Sequence, residues 1–231
     1  MSNKQLSVPM TQQEILLGYG YLALQLFALP VILKLGNALL PKPLTETELN
    51  FLFFALNFLA TTVIFRKFLV KNGKVFSSNP AGCLWGSLRG FIAYWVLNYA
   101  VGSVILLISP DFFNVNDSAI STMVDQNTDL MAIGTILLAP VAEELFYRGL
   151  IFRGFYNKKP ILGYLVSTLA FASLHVVGYI GLYSPLHLLL CLLQYIPAGI
   201  CLGWAYAKTD CIFAPILMHI AINQIGILSM R

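Results

Sequence analysis

Two adjacent glutamates and an arginine lie at the end of an apolar stretch of this chain. The segment from Ala142 to Gly149 reads AEELFYRG and follows the run DLMAIGTILLAPV. On a helix, Glu144 and Arg148 are four residues apart and can form an ion pair on one face. Glu143 points about 100° away around the same helix. The spacing therefore predicts a paired Glu144 and a Glu143 that is free for chemistry.

Two of the three histidines also fall in apolar segments. His175 ends the stretch FASLH, and Phe171, four residues earlier, is expected to wall one side of its ring. His219 begins HIAIN, so Asn223 lies on the same helix face. The third histidine, His187, stands at a predicted helix start, where a structural role is expected.

These side chains suit hydrolysis by water. A carboxylate such as that of Glu143 can act as general base while an imidazole orients the water or shares its proton. Asn223 and His219 can donate hydrogen bonds to a developing oxyanion. Alternatively, Glu143, His175 and His219 can be three ligands of a divalent metal such as zinc, with a fourth position open. There is no HExxH motif to require the metal, so the sequence leaves both routes open.

The composition predicts that these groups lie inside a membrane. Of the 231 residues, 58% are hydrophobic and 10% are charged, and the mean hydropathy is +0.77. Soluble domains carry about 25% charged residues. The net charge of +4 is attributed to the loop bias of membrane topology rather than to nucleic-acid binding. The polar start MSNKQLSVPMTQQE has no small-residue cleavage site, so no removable signal peptide is expected.

Apolar runs of membrane-spanning length predict an all-α polytopic bundle in one domain, 1–231. The motif-bearing core covers about 130–227. Turns are expected at GYIGLYSP and at KTDC, and the four cysteines are interpreted as small buried hydrophobes. The seven predicted spans are 15–36, 50–70, 85–108, 130–151, 161–182, 186–207 and 212–229.

Lysine and arginine predict the orientation of the bundle. The connections at 66–74 and 153–159 are basic, the segment 109–129 has aspartates but no Lys or Arg, and the turn 178–185 is uncharged. Positive-inside bias then places the basic connections in the cytoplasm. Glu143 and His219 each lie about 10 Å from the cytoplasmic ends of their spans. The active site is therefore expected towards the cytoplasmic side.

The three motifs EELFYR, FASLH and HIAIN fit EExxxR, FxxxH and HxxxN, in that order and on successive polar-bearing spans. The set resembles the CAAX prenyl endopeptidase and bacteriocin-processing family of intramembrane proteases, also called the Abi family. The resemblance covers about residues 130–227. The resemblance implies a membrane-embedded endopeptidase. It also implies that this chain is one of the prokaryotic members of the family and lies in the plasma membrane.

The resemblance also implies roles for individual residues. Glu143 matches the base that activates water, and His175 its partner. His219 and Asn223 match an oxyanion-stabilising or metal-linked pair. Glu144 and Arg148 complete the first motif in support. The implied substrate is a membrane-associated or lipid-anchored peptide or protein, and either a metal-dependent or a glutamate-dependent mechanism is compatible with the motifs.

Two alternatives from other functional classes use the same buried residues. A proton-coupled transporter also places Glu and His inside spans, and Pro197 with Gly199 and Pro215 can break spans as transporters require, but no internal repeat accompanies them. A non-catalytic membrane scaffold can retain the cluster as packing. The three intact motifs favour the enzyme over both.

Overall fold

Nine helices make up the fold of residues 5–230, the part of the chain that the computed structural model describes. Residues 1–4 and 231 of the predicted domain 1–231 lie outside the described residues. Within 5–230 there is no β-strand beyond one isolated bridge, Ile180 to Tyr183. The helices are α1 (Gln12–Ala38), α2 (Glu46–Ile64), α3 (Arg66–Ser78), α4 (Pro80–Ile108), α5 (Val115–Gln126), α6 (Thr128–Tyr156), α7 (Pro160–Val177), α8 (Pro185–Thr209) and α9 (Phe213–Ser229).

Six of these helices are long and apolar enough to cross a membrane, namely α1, α2, α4, α6, α7 and α8. The seventh predicted span, 212–229, is the shorter apolar helix α9, with 17 residues. Large apolar side chains cover the outside of the bundle, and Leu107 and Ile161 are more than 80% exposed. Such a surface suits lipid and would be costly in water. The all-α polytopic bundle is thus confirmed.

Two connections that were not predicted as helices are helical. The second span ends at Ile64 rather than at residue 70, because Phe65 leaves helical geometry with φ −94° and ψ 21°, and α3 follows it. The acidic segment 109–129 contains α5. Asn114 caps α5, because its side chain accepts hydrogen bonds from the backbone N–H groups of Asn116 and Asp117.

The two predicted turns are confirmed. Gly181 adopts φ +87° between α7 and α8, a conformation that favours glycine because it has no Cβ. Asp210, after α8, takes the left-handed conformation at φ 54°. His187 packs its ring against Phe112 and Phe113, with ring centroids 5.3 and 4.8 Å away, which agrees with its expected structural role.

The N-terminal segment closes one end of the bundle. Leu6, Val8 and Met10 are buried in the main hydrophobic core. The side chain of Asn157 accepts a hydrogen bond from the Leu6 N–H at 2.9 Å and donates one to its carbonyl at 3.1 Å. Arg153 Nε donates to the Val8 carbonyl at 2.7 Å. We call this end, formed by 5–11, 65–79, 153–159 and 208–212, the basic end. The other end, formed by 34–46, 109–128, 178–185 and 226–230, is called the opposite end.

Candidate active site

Helix α6 carries both glutamates between two π-helical segments. The short α-helical stretch Ala139–Glu144 is flanked by the π segments Ile133–Leu138 and Leu145–Phe152. Pro140 has no N–H, so it cannot bond to the carbonyl of Thr135, five residues earlier. Asn223 on α9 fills that gap, since its Nδ2 donates to the Thr135 carbonyl at 2.8 Å. The proline thus creates the acceptor that holds Asn223 beside the glutamates.

Glu144 lies at the centre of a buried charge cluster. Its side chain has no exposed surface, and its Oε1 accepts a hydrogen bond from Arg148 Nη1 at 2.8 Å. The same oxygen lies 2.8 Å from His219 Nδ1. The predicted pair of Glu144 and Arg148 is therefore present. The additional bond to His219 was not predicted, and it links α6 to α9.

Arg148 connects this cluster to two further helices. It is fully buried, and its guanidinium carbon lies 4.5 Å from the centre of the Phe171 ring on α7. Its Nη2 donates to the Gly199 carbonyl on α8 at 3.4 Å. A buried arginine with these contacts offsets part of its desolvation cost through the carboxylate, the carbonyl and the aromatic face. Arg148 is consequently a junction between α6, α7 and α8.

Glu143 differs from its neighbour in both exposure and partners. Its side chain is 21% exposed, and its Oε2 lies 3.9 Å from His219 Nε2. That oxygen is buried and has no hydrogen-bond partner among the described residues. A separation of 3.9 Å is too long for a direct hydrogen bond. The two glutamates therefore face the two ring nitrogens of His219. Glu144 lies within hydrogen-bonding distance of Nδ1, whereas Glu143 lies too far from Nε2 for a direct bond.

His175 lies between two aromatic rings. Its Nδ1 is 2.8 Å from the Phe171 carbonyl, so Nδ1 donates and Nε2 remains available. The His175 ring centroid is 4.7 Å from that of Phe171, as the spacing suggested, and it stacks on Tyr195 at 4.2 Å. Phe171 also contacts the His219 ring edge to face, with the centroids 5.7 Å apart. Phe171 thus packs against both imidazoles.

Sequence reasoning missed the polar group that holds Tyr195. The Tyr195 hydroxyl lies 3.0 Å from Asp117 Oδ1 and 3.1 Å from Asn114 Oδ1, and it accepts a hydrogen bond from Asn116 Nδ2 at 3.2 Å. Burial raises the pKa of the Asp117 carboxyl above its ordinary value, although the bond to Tyr195 opposes the shift. The signal for this group in the sequence is the three polar residues within NVND in an otherwise apolar chain.

One cavity of about 750 Å³ brings the predicted residues together. Glu143, His175, His219 and Asn223 all line it, as their helix faces predict, although their catalytic roles remain predictions. Apolar side chains form much of the remaining wall. They include Phe53, Phe54, Trp95, Leu174 and Ile222.

The cavity extends towards the opposite end of the bundle, whereas the sequence predicts access from the basic end. Its outermost lining residues are Lys34, Glu46, Asn116, Tyr179 and Met230. On the other side of the glutamates, packed side chains fill the space. The fully or almost fully buried ones are Phe65, Phe68, Phe146, Arg148, Phe152 and Tyr206. Counting residues to the nearer helix end predicted access from the basic end, but that count could not reveal this packing.

The zinc alternative requires three side chains that converge on one point. Among residues 5–230, no three His, Cys, Asp or Glu side chains are grouped closely enough to hold a metal ion. The arrangement therefore does not fit a zinc site built from Glu143, His175 and His219.

Comparison with known proteins tests the resemblance drawn from the three motifs. A family model described as type II CAAX prenyl endopeptidase Rce1-like matches residues 125–225. Residues 125–225 are therefore similar to this family. The Rce1-like region contains all three motifs and nearly coincides with the predicted core 130–227, so the resemblance is confirmed.

Similarity to one curated protein extends beyond the Rce1-like region. The protein named "Putative membrane peptidase YdiL" from Bacillus subtilis (strain 168) is 27% identical over 208 residues, which cover 86% of this chain and 80% of that protein. No solved structure shows a significant match to the chain. The apolar helices and this relative together indicate an integral membrane protein.

Proposed function

We propose that this protein is an intramembrane endopeptidase in which Glu143 activates water for attack on a peptide bond. One observation carries the proposal: the unpartnered Oε2 of Glu143 lies 3.9 Å from His219 Nε2 on the wall of the cavity. A single water molecule can bridge two polar atoms at this separation. Such a water would be held by a base on one side and by an imidazole on the other.

The proposed reaction needs these side chains and water. Glu143 takes a proton from the water as its oxygen attacks the carbonyl carbon of the peptide. A new C–O bond forms, the C–N bond breaks, and the proton passes from Glu143 to the leaving nitrogen. The products are a new carboxyl end and a new amino end.

Glu144 orients His219 for this step. Because Glu144 Oε1 accepts the Nδ1–H bond, the ring is fixed with Nε2 towards Glu143. One N–H of the Asn223 side-chain amide donates to the Thr135 carbonyl, and the other is free to donate to a group in the cavity. Asn223 is thereby placed to donate to the oxyanion, and His219 Nε2 donates to it only when the ring is protonated at both nitrogens. The free Nε2 of His175 offers a further contact for the substrate.

The proposed substrate is a membrane-associated or lipid-anchored peptide. Apolar walls beside Phe53, Phe54 and Trp95 suit a lipid-like or apolar segment, while the polar groups around Glu143 suit the peptide bond. The Rce1-like family description names prenyl endopeptidases, and the relative is named as a membrane peptidase. We place the enzyme in a prokaryotic plasma membrane.

Hydrolysis in ¹⁸O-labelled water tests the proposed function. The purified protein in liposomes is incubated with lipid-anchored peptides, and the products are analysed by mass spectrometry. We expect cleavage, one ¹⁸O atom in the new carboxyl group, and unchanged activity after treatment with a zinc chelator. Loss of activity with the chelator and its return with zinc would contradict the metal-free mechanism. The absence of cleavage across a broad peptide set would favour the scaffold or transporter alternative.

The sidedness of the site follows from combining the cavity with the charge pattern. If the basic connections are cytoplasmic, as positive-inside bias predicts, the cavity opens on the outer side. The charge pattern and the position of the cavity together favour access from the outer side over the expected cytoplasmic access.

Single cysteines at exposed positions test this orientation. The four native cysteines are buried, so the wild-type protein provides a low-labelling blank. On intact cells, we expect an impermeant thiol reagent to label Ser118→Cys on α5 and to leave Lys158→Cys unlabelled. Both native side chains are exposed. The reverse pattern would place the mouth of the cavity in the cytoplasm.

A further inference from the structure

A second cavity, of about 460 Å³, lies at the surface between α4 and α8, near the basic end. Each helix contributes a tryptophan and a cation four residues apart, Trp85 with Arg89 on α4 and Trp204 with Lys208 on α8. Residues at this spacing share one helix face. Both helices therefore present an aromatic ring and a positive charge to the same groove.

The floor of the groove is formed by a close helix contact. Gly86 on α4 faces Thr209 on α8, and a Cβ atom at Gly86 would collide with the Thr209 side chain. The absence of that Cβ lets the two helices approach, and the longer side chains stand on either side of the contact. The shape of the groove thus follows from the close packing of α4 against α8.

Arg89 lies within the predicted span 85–108, and its charge is unpaired among residues 5–230. Helix α4 has 29 residues, or about 43 Å at 1.5 Å per residue, against a hydrocarbon core of about 30 Å. If α4 is centred in the membrane, Arg89 lies about 7 Å below the surface of that core. Its side chain is exposed, and no ion pair joins it to another of the described residues.

An unpaired charge at this depth is stabilised by an anion from outside the protein. A long cationic side chain reaches towards the interface, where phosphate groups lie. Lys208 is also exposed, and its ammonium lies 5.9 Å from the centre of the Trp204 ring. Two cations converge on the groove without a carboxylate among its lining residues. The complementary ligand is therefore an anion at the membrane surface.

We propose that the groove between α4 and α8 binds the phosphate headgroup of an anionic phospholipid. Arg89 and Lys208 hold the phosphate, and the rings of Trp85 and Trp204 lie at the interface beside it, where tryptophan is favoured. Basic pockets between spans on the cytoplasmic side are suited to acidic lipids. This site is separate from the cavity that contains Glu143 and is independent of the proposed peptidase activity.

Native mass spectrometry of the full chain tests the site. The protein is titrated in detergent with phosphatidylglycerol and, separately, with phosphatidylcholine. The test variant is Arg89→Gln/Lys208→Gln. The control variant Lys74→Gln/Lys158→Gln loses the same number of charges from exposed positions at the basic end. We expect phosphatidylglycerol affinity to fall about fivefold for each groove cation removed, and about 25-fold in the double variant.

Three outcomes decide between the sources of the anion. Preferential binding of phosphatidylglycerol that is lost in the groove variant and retained in the control supports the proposal. Equal losses in both variants would show charge attraction without a site and would overturn it. Inorganic phosphate that displaces the lipid or raises the unfolding temperature at millimolar concentration would identify a soluble anion as the ligand and would also overturn it.

Discussion

Glu143→Gln is expected to abolish peptide hydrolysis while the protein remains folded. Glutamine has the shape of glutamate but cannot take the proton from water, and the loss of a general base lowers rates by about 10²–10⁴-fold. The Glu143 side chain lines the cavity and forms no ion pair with Arg148. Its replacement should therefore shift the unfolding temperature by no more than a few degrees. Initial rates and thermal unfolding on the same preparation measure both effects.

Two comparison variants make this result specific. Asp125→Asn removes an exposed carboxylate from α5 and should leave both activity and stability unchanged. Glu144→Gln weakens the contacts with Arg148 and His219, so it should lower stability as well as activity. An active Glu143→Gln together with a well-folded but inactive Glu144→Gln would reverse the roles of the two glutamates.

Arg148→Ala is expected to cause the largest loss of stability. It leaves the carboxylate of Glu144 buried without its cation and removes the contacts with Phe171 and Gly199. Breaking a buried ion pair in this way costs about 3–5 kcal/mol. Activity should fall too, because Glu144 orients His219. Chemical or thermal unfolding in lipid nanodiscs measures the change in free energy.

A double-mutant cycle separates the contribution of the Glu144–Arg148 ion pair to stability from the contribution of general packing. Arg66→Ala removes an exposed arginine and serves as the matched control, with an expected change within about 0.5 kcal/mol. In Arg148→Ala/Glu144→Gln the unpaired charge is also removed, so the double variant should lose less stability than the two single changes added together. If Arg148→Ala unfolds at the same temperature as Arg66→Ala, the cluster does not stabilise the fold.

The membrane class and the distinction between the two glutamates were predictable from sequence because both depend on local properties. Lipid-facing helices need apolar side chains, so composition and run length indicate spans. Helix periodicity places Glu144 and Arg148 on one face and turns Glu143 away. These relations lie within a single helix and do not depend on which neighbour packs against it.

The partners between helices could not be predicted in this way. Periodicity shows which face carries His219, but not that its Nδ1 bonds to Glu144 and its Nε2 faces Glu143. It also cannot predict the bond between Asn223 and the carbonyl left free by Pro140, or the stacking of His175 on Tyr195. Each depends on the rotation and depth of two helices relative to each other.

The sequence alone determined that this protein is a helical membrane bundle with a buried glutamate, histidine and asparagine set. The tertiary structure decided which end of that set is accessible. Side chains from the N-terminal segment, α3 and α8 fill the basic end, whereas the cavity reaches α5 at the opposite end. Access depends on how well distant segments pack, and packing is a property of the assembled bundle.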